Sequence, residues 1–228
     1  MDDESRDSER RPTSGRARDA SPRGDAADLS VPARPTAKAG GLVRRVAASL
    51  VPRRRDLRGT VYLVLDHSTS MGDPGKMEQL RQGALRFFLE AVQRDYAVGA
   101  VAFAGAAELV TGASLNAHRF WRKLHALRPY GRTAMASGLR LGLGRLRFRG
   151  GRKVLVLITD GMPDDRAATL DAARLARARG VTLIPIGTGE ADHEFLASLT
   201  GRPELVRHVP TDRLAGAIAG VAKGLDET

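Results

Sequence analysis

Asp66, Ser68 and Ser70 alternate along the stretch VYLVLDHSTSM, and a second acid, Asp160, ends the stretch KVLVLITD. In extended backbone, residues two apart point to the same side, so this alternation aims one carboxylate and two hydroxyls at a common point. An all-oxygen set of that kind suits a hard cation. Thr133 follows a break at Pro129 and Gly131 and supplies a third hydroxyl at the start of a helix-like segment. Asp66, Ser68, Ser70, Thr133 and Asp160 are therefore the candidate ligands.

Both acids end apolar runs, rich in β-branched residues, that read as strands buried on both faces. Between and beyond them the pattern alternates. Helical spacing is expected over 76–94, with Met77, Leu80, Ala84, Phe87, Phe88 and Ala91 on one face, and again over 116–127, 134–146, 167–179 and 191–199. Strands are expected over 97–104, 108–111, 181–186 and 205–209. A last helix is expected over 212–223 with Asp212 as its N-cap, and Gly138 and Gly142 imply close approach of the 134–146 helix to a sheet. Strands alternating with helices imply an α/β fold, a mostly parallel sheet covered on both faces. In such sheets ligands sit beyond the carboxyl ends of strands where the winding reverses, the position expected for Asp66 and Asp160 if their strands are neighbours. The plainer alternative is that the acids cap helices and the hydroxyls satisfy turns.

Three segments, Asp66-x-Ser68-x-Ser70, Thr133 at a helix start, and Asp160-Gly161 at a strand end, resemble the von Willebrand factor A (vWA) domain family. Their order and setting match that family's metal-ion-dependent adhesion site (MIDAS). The resemblance covers about 59–223 and implies a Rossmann-like domain with sheet order 3-2-1-4-5-6 and one antiparallel edge strand. DHSTSMGDPGKMEQLRQGALRFF and ITDGMPDD look more like bacterial intracellular members than animal adhesive ones. By resemblance the cation is Mg2+ or Mn2+, with Asp160 acting through water, and a partner protein's Asp or Glu enters the free coordination position. An AAA+ ATPase of the MoxR or magnesium-chelatase type is the partner the resemblance implies. Two departures stand out: Thr69 where many members have glycine, and Arg132 where glycine commonly precedes the threonine. Arg132, if it faces the same mouth, would add a charge-assisted bond to a partner acid.

Composition narrows the field. The chain has no cysteine among its 228 residues, which excludes disulfides, thiolate metal sites and a cysteine nucleophile. MDDESRDSERR lacks the positive start and apolar stretch of a secretory signal. With no apolar run long enough for a membrane span, a cytoplasmic location is expected. The net charge of +11 raises nucleic acid as a partner, but arginine, alanine and glycine are enriched throughout; nucleic-acid binding through the tail is retained only as an alternative.

Residues 1–58 are expected to be a disordered tail, too poor in apolar residues to offset the entropy of ordering, with the vWA-like domain over 59–228. Residues 29–58 carry eight basic residues against one acid. Val43, Val46, Ala47, Leu50 and Val51 are spaced for a short basic helix over 42–51, ended by Pro52.

Other chemistries fit less well. GDPGK has too few residues between its glycines for a phosphate loop, and Met77 follows where a hydroxyl is needed. Asp66, His67 and Ser68 are triad types, but adjacent residues diverge in extended backbone and no G-x-S-x-G elbow exists. A metal-dependent, phosphatase-like hydrolase would usually carry an acid where Ser68 stands; it is kept as the alternative class, and no enzyme activity is expected. His118 and His125 could share a helix face, Asp192-His193-Glu194 reads as a solvated helix start, and Asp164 and Asp165 favour the N-terminus of the helix after them.

Removal of residues 1–56 should leave a cooperatively unfolding domain. Thermal unfolding of the truncated chain checks this; loss of a single transition would place the 42–51 segment in the core.

Overall fold

A computed structural model describes residues 57–227 of the chain. Residues 1–56 of the expected tail, with its helix over 42–51, lie outside the described residues.

The chain runs β1 (Gly59–Asp66), a 3-10 turn (Thr69–Gly72), α1 (Lys76–Gln93), β2 (Tyr96–Phe103), β3 (Ala107–Ser114), α2 (Ala117–His125) and α3 (Met135–Leu146). It continues through β4 (Arg152–Thr159), α4 (Arg166–Ala178), β5 (Thr182–Gly187), α5 (His193–Thr200), β6 (Arg207–His208) and α6 (Leu214–Lys223). The sheet order is β3-β2-β1-β4-β5-β6, with β3 antiparallel to β2 and every other pair parallel. This is the vWF-like Rossmann arrangement expected from the sequence, with β3 as its antiparallel edge. The short edge strand β6 and the two-residue spread at most element ends are the differences of extent.

Side chains alternate across β1 as strand geometry requires. Val61, Leu63 and Leu65 enter one core with Phe87 and Phe88 of α1, Phe120 of α2 and Ile218 of α6. Tyr62 and Val64 enter the other, with Met135 and Leu139 of α3, Ala173 of α4 and Phe195 of α5. Every residue of β1 is buried. A strand covered on both faces must therefore be apolar continuously, and this is why its only charge stands at its last position.

Helix ends follow local capping chemistry. Asp165 accepts from the Ala168 amide at 2.8 Å and Asp192 from the Phe195 amide at 3.0 Å, so both acids cap helices. Asn116 does the same for α2 through the Arg119 amide at 2.8 Å. Asp212 does not. It lies inside a 3-10 turn over Thr211–Arg213 that follows Pro210, and α6 begins only at Leu214. The first turn of α6 is instead served from across the core, where the Ala215 amide donates to Gln79 Oε1 of α1 at 3.3 Å.

The glycines of α3 divide into two kinds. A Cβ on Gly138 would stand 2.7 Å from Phe103 Cδ1 and 3.0 Å from Val64 Cγ1, and one on Gly142 would meet Leu155 at 2.9 Å, whereas one on Gly144 meets nothing within 4 Å. Gly138 and Gly142 thus let the helix lie against the sheet, and Gly144 faces outward. Gly138→Val should cost about 1–3 kcal/mol of stability through overpacking. Gly144→Ala should gain up to about 1 kcal/mol from helix propensity. Urea unfolding of the two variants checks the contrast.

Candidate metal centre

β1 and β4 lie side by side, and the chain leaves their carboxyl ends toward opposite faces of the sheet. Asp66 is the last residue of β1, and Asp160 directly follows β4. Both are buried, with 0% and 1% of their surface exposed. The carboxylates end adjacent strands at the topological switch point, so neither needs a long loop to reach the crevice.

The Asp66 carboxylate accepts two hydrogen bonds: Oδ1 from the Ser68 amide at 2.8 Å and Oδ2 from the Thr159 hydroxyl at 2.6 Å. The first closes a turn of the Asx kind, and the chain then winds into the 3-10 turn over Thr69–Gly72. The extended alternation expected for Asp66, Ser68 and Ser70 is therefore corrected, because extended backbone ends before the second serine. The hydroxyls meet all the same. Ser68 Oγ and Ser70 Oγ are 3.1 Å apart, and Ser70 Oγ donates to Asp160 Oδ1 at 2.7 Å. Asp66, Ser68, Ser70 and Asp160 thus form one connected polar cluster, and neither acid caps a helix.

Thr133 arrives by a different route. The Thr69 amide and hydroxyl both donate to the Gly131 carbonyl, at 3.1 and 2.9 Å, and the Tyr130 amide donates to the His67 carbonyl at 2.8 Å. The Ala134 amide donates to Ala104 O at 2.7 Å, and Asp164 donates its amide to the Thr133 carbonyl at 3.1 Å. The residues around Thr133 are thereby tied to the loops after β1, β2 and β4. Gly131 takes φ 70° in this passage, with its Cβ position 3.1 Å from the Gly105 amide nitrogen, so a side chain there would meet both strain and backbone. Among the described residues the Thr133 hydroxyl is bonded to none of the other four candidates.

Arg132 does not stand free at the mouth. Its Nε lies 3.4 Å from Asp164 Oδ1, with the side chain 80% exposed. The departure from glycine before Thr133 is thus matched by an acid in the opposite loop, and Arg132 is only a weakly held rim charge.

Three participants were not read as such from the sequence. Thr159 is a polar residue in an otherwise apolar strand, a signal that was present in KVLVLITD. His67 is buried, donates from Nδ1 to the Arg128 carbonyl at 3.1 Å, and packs edge-on against Tyr130 at 4.9 Å. Lys76 is the third. Its ammonium donates to Asp160 Oδ2 at 2.7 Å, to Asp73 Oδ2 at 2.7 Å and to the Ser70 carbonyl at 3.2 Å. The lysine of GDPGK has found a buried carboxylate rather than a phosphate. Partial burial works against its charge, but the hydrogen bonds and the charges of Asp160 and Asp73 outweigh that and hold the ammonium above its ordinary pKa.

The two acids are consequently unlike. Asp160 has Ser70 on one oxygen and Lys76 on the other. Among the described residues Asp66 has hydrogen-bond donors but no ion pair with a basic side chain, and burial pushes its carboxyl above the usual carboxylate range against the pull of Ser68 and Thr159. A buried carboxylate without a counter-cation, flanked by two serine hydroxyls, is an environment that fits a hard divalent ion. Two apolar side chains are exposed on the loops that carry Thr133 and Asp160, Tyr130 at 53% and Met162 at 40%.

The sequence profile of the von Willebrand factor type A domain matches residues 60–221, most of the chain. The chain belongs to that family. Over 182 residues this vWA domain is 30% identical to mouse (Mus musculus) collagen alpha-5(VI) chain, covering 74% of the chain but 7% of the collagen. It is 28% identical over 160 residues to a UPF0353 protein of Nocardia farcinica, strain IFM 10152, covering 61% of the chain and 47% of that protein. The matched region is thus less than half of either relative. Among solved structures, the fold is similar to the vWF domain of the type V pili tip protein Mfa5 from Porphyromonas gingivalis, with a TM-score of 0.69, 12% identity, and coverage of 76% of this chain and 96% of that one. It is also similar to proximal thread matrix protein 1 of the mussel byssus, solved with a zinc-occupied MIDAS motif (TM-score 0.61, 18% identity, 73% of this chain and 46% of that one). Manganese-loaded Plasmodium vivax TRAP protein is a third fold neighbour, at TM-score 0.61 and 21% identity over 71% of this chain and 72% of that one. Among the described residues no helix of this vWA domain is long and apolar enough to cross a membrane.

The raised Asp66 pKa carries a sign. A group that binds its proton more tightly when folded costs stability above its folded pKa, and the cost is relieved as pH falls through that value toward the unfolded one. With a chelator present, Asp66→Asn should therefore melt above the wild type at neutral pH, and the gap should narrow as pH is lowered to about 4. Thermal unfolding of both proteins across that range checks it.

Proposed function

We propose that this vWA domain is a metal-ion-dependent protein-interaction module. The observation that carries the reading is the buried Asp66 carboxylate, without a basic partner among the described residues and set among the Ser68 and Ser70 hydroxyls at the mouth of the switch-point crevice. Asp66, Ser68, Ser70 and Thr133 would hold the ion, with Asp160 acting through water. The oxygen-only donor set favours Mg2+ or Mn2+; calcium sites usually gather more carboxylates. Fold neighbours solved with zinc or manganese support a divalent ion in general.

Bound there, the ion supplies an open coordination position that a carboxylate oxygen from another protein completes. The chain's own residues prepare that step. Ser70 gives its proton to Asp160 and so has only lone pairs left to offer, and the Thr159 hydroxyl fixes the orientation of Asp66. A single directly bound carboxylate leaves a divalent ion under-neutralised in a crevice of reduced dielectric, and this favours an acidic partner. The bacterial character of the motif segments extends the reading to an intracellular, cytoplasmic role as adaptor for an AAA+ ATPase of the MoxR or magnesium-chelatase type. The reading involves no catalytic step; assay of phosphoester turnover separates it from the hydrolase alternative.

Calorimetry should find about one weakly bound Mg2+ or Mn2+ per chain and none in Asp66→Ala, with the variant still folded. Pull-downs from native lysate should recover an acidic partner that is lost with EDTA and with Asp66→Ala, and reduced with Thr133→Ala. Recovery of the same partner in every condition would exclude a metal bridge.

A further inference from the structure

Lys76 is where the site departs from a simple oxygen nest. It is the first residue of α1, reached through Gly75 at φ 84°, and its side chain is 12% exposed. Glycine makes that left-handed turn without strain and so brings the helix start over the mouth. From there the ammonium lies 2.7 Å from Asp160 Oδ2 while Ser70 holds Oδ1. Both Asp160 oxygens are engaged, and its charge is cancelled by a cation that belongs to the chain. Asp73 and the Ser70 carbonyl hold the ammonium from its other sides. The placement is specific, since three acceptors converge on one nitrogen.

Resting on the metal-centre reading, we propose that Lys76 is a built-in counter-cation that cancels the charge of Asp160 and limits it to contact with the ion through water, keeping the site's own affinity low so that a partner carboxylate is required to complete it. With Lys76 present, the ion meets one uncompensated carboxylate, Asp66, and retains positive charge for the incoming acid. Without the ammonium, Asp160 is free to neutralise the ion with its full charge, and the demand for a partner acid falls. Lys76 then sets both the resting affinity of the site and its preference for acidic partners.

The test is Mn2+ binding to the full chain, read by calorimetry and by the electron paramagnetic resonance of free Mn2+. Lys76→Met keeps a four-atom stem and the helix propensity of the side chain without its charge, and should bind Mn2+ about tenfold more tightly or better. Lys76→Gln should do the same and guards against a packing effect of methionine. Lys76→Arg, which keeps the charge, should stay near wild type. The double variant Lys76→Met/Asp160→Asn should lose that gain and bind Mn2+ no more tightly than wild type, and Asp160→Asn alone completes the cycle that isolates the pair. Binding detected only in Lys76→Met and Lys76→Gln would likewise support the proposal. Unchanged or weaker binding in those two, with wild type binding, would overturn it and leave the metal centre standing. Retention of the gain in the double variant would also overturn it, since the gain would then not come from Asp160. Absence of Mn2+ binding in wild type and every variant, all folded by circular dichroism, would overturn the metal centre and this inference together.

Discussion

The position of β1 is the constraint on which the rest depends. It pairs in register with β2 on one side, Leu65 beside Ala102, and with β4 on the other, Leu65 beside Ile158. A slip of one residue would send Val61, Leu63 and Leu65 to the face now filled by Tyr62 and Val64. The two cores differ too much to accept that exchange. Tyr62 is held at its far end, where its hydroxyl accepts from the Ala113 amide at 2.9 Å, and Gly99 leaves room for the ring: a Cβ there would stand 2.4 Å from Tyr62 Cε1. Fixed from both sides, β1 delivers Asp66 to one height above the sheet, and β4 delivers Asp160 beside it.

The site then treats its two buried acids in opposite ways. Asp160 is stabilised by a side-chain cation and a hydroxyl. Asp66 is oriented by an amide and a hydroxyl but left electrostatically unbalanced. An unbalanced buried charge opposes folding, and chains tolerate one where a ligand supplies the missing sign. The loops around it are fastened tightly, by bonds among His67, Thr69, Gly131 and Tyr130, so the acid has little freedom to escape to water.

Much of this was legible in the sequence because it rests on periodicity. Alternation of apolar strands with amphipathic helices fixes the α/β class, and the strand-end positions of Asp66 and Asp160 follow from where the apolar runs stop. Gly138 and Gly142 announced a close helix–sheet approach that the packing bears out. What was hidden depends on pairings across long sequence separation. Nothing local to GDPGK says that Lys76 will meet an acid 84 residues away, and no pattern ties Thr159 to Asp66. Asp212 failed as a cap for a related reason: the sequence shows a suitable residue before an apolar run, but Pro210 and the distant Gln79 decide how that helix begins. The alternation of Asp66, Ser68 and Ser70 was read with the right residues and the wrong backbone, because the bond from the Ser68 amide to Asp66 ends the strand.

Tyr130 and Met162 are apolar side chains left exposed on the loops that carry Thr133 and Asp160. A protein surface laid over them would expel the solvent layer that otherwise screens the crevice. The local dielectric would fall at the moment of contact, and an ion–carboxylate bond of modest strength in open water would strengthen as the gasket closed. In such a complex the two apolar side chains would govern how long it lasts more than how quickly it forms, and their truncation would show first as faster dissociation.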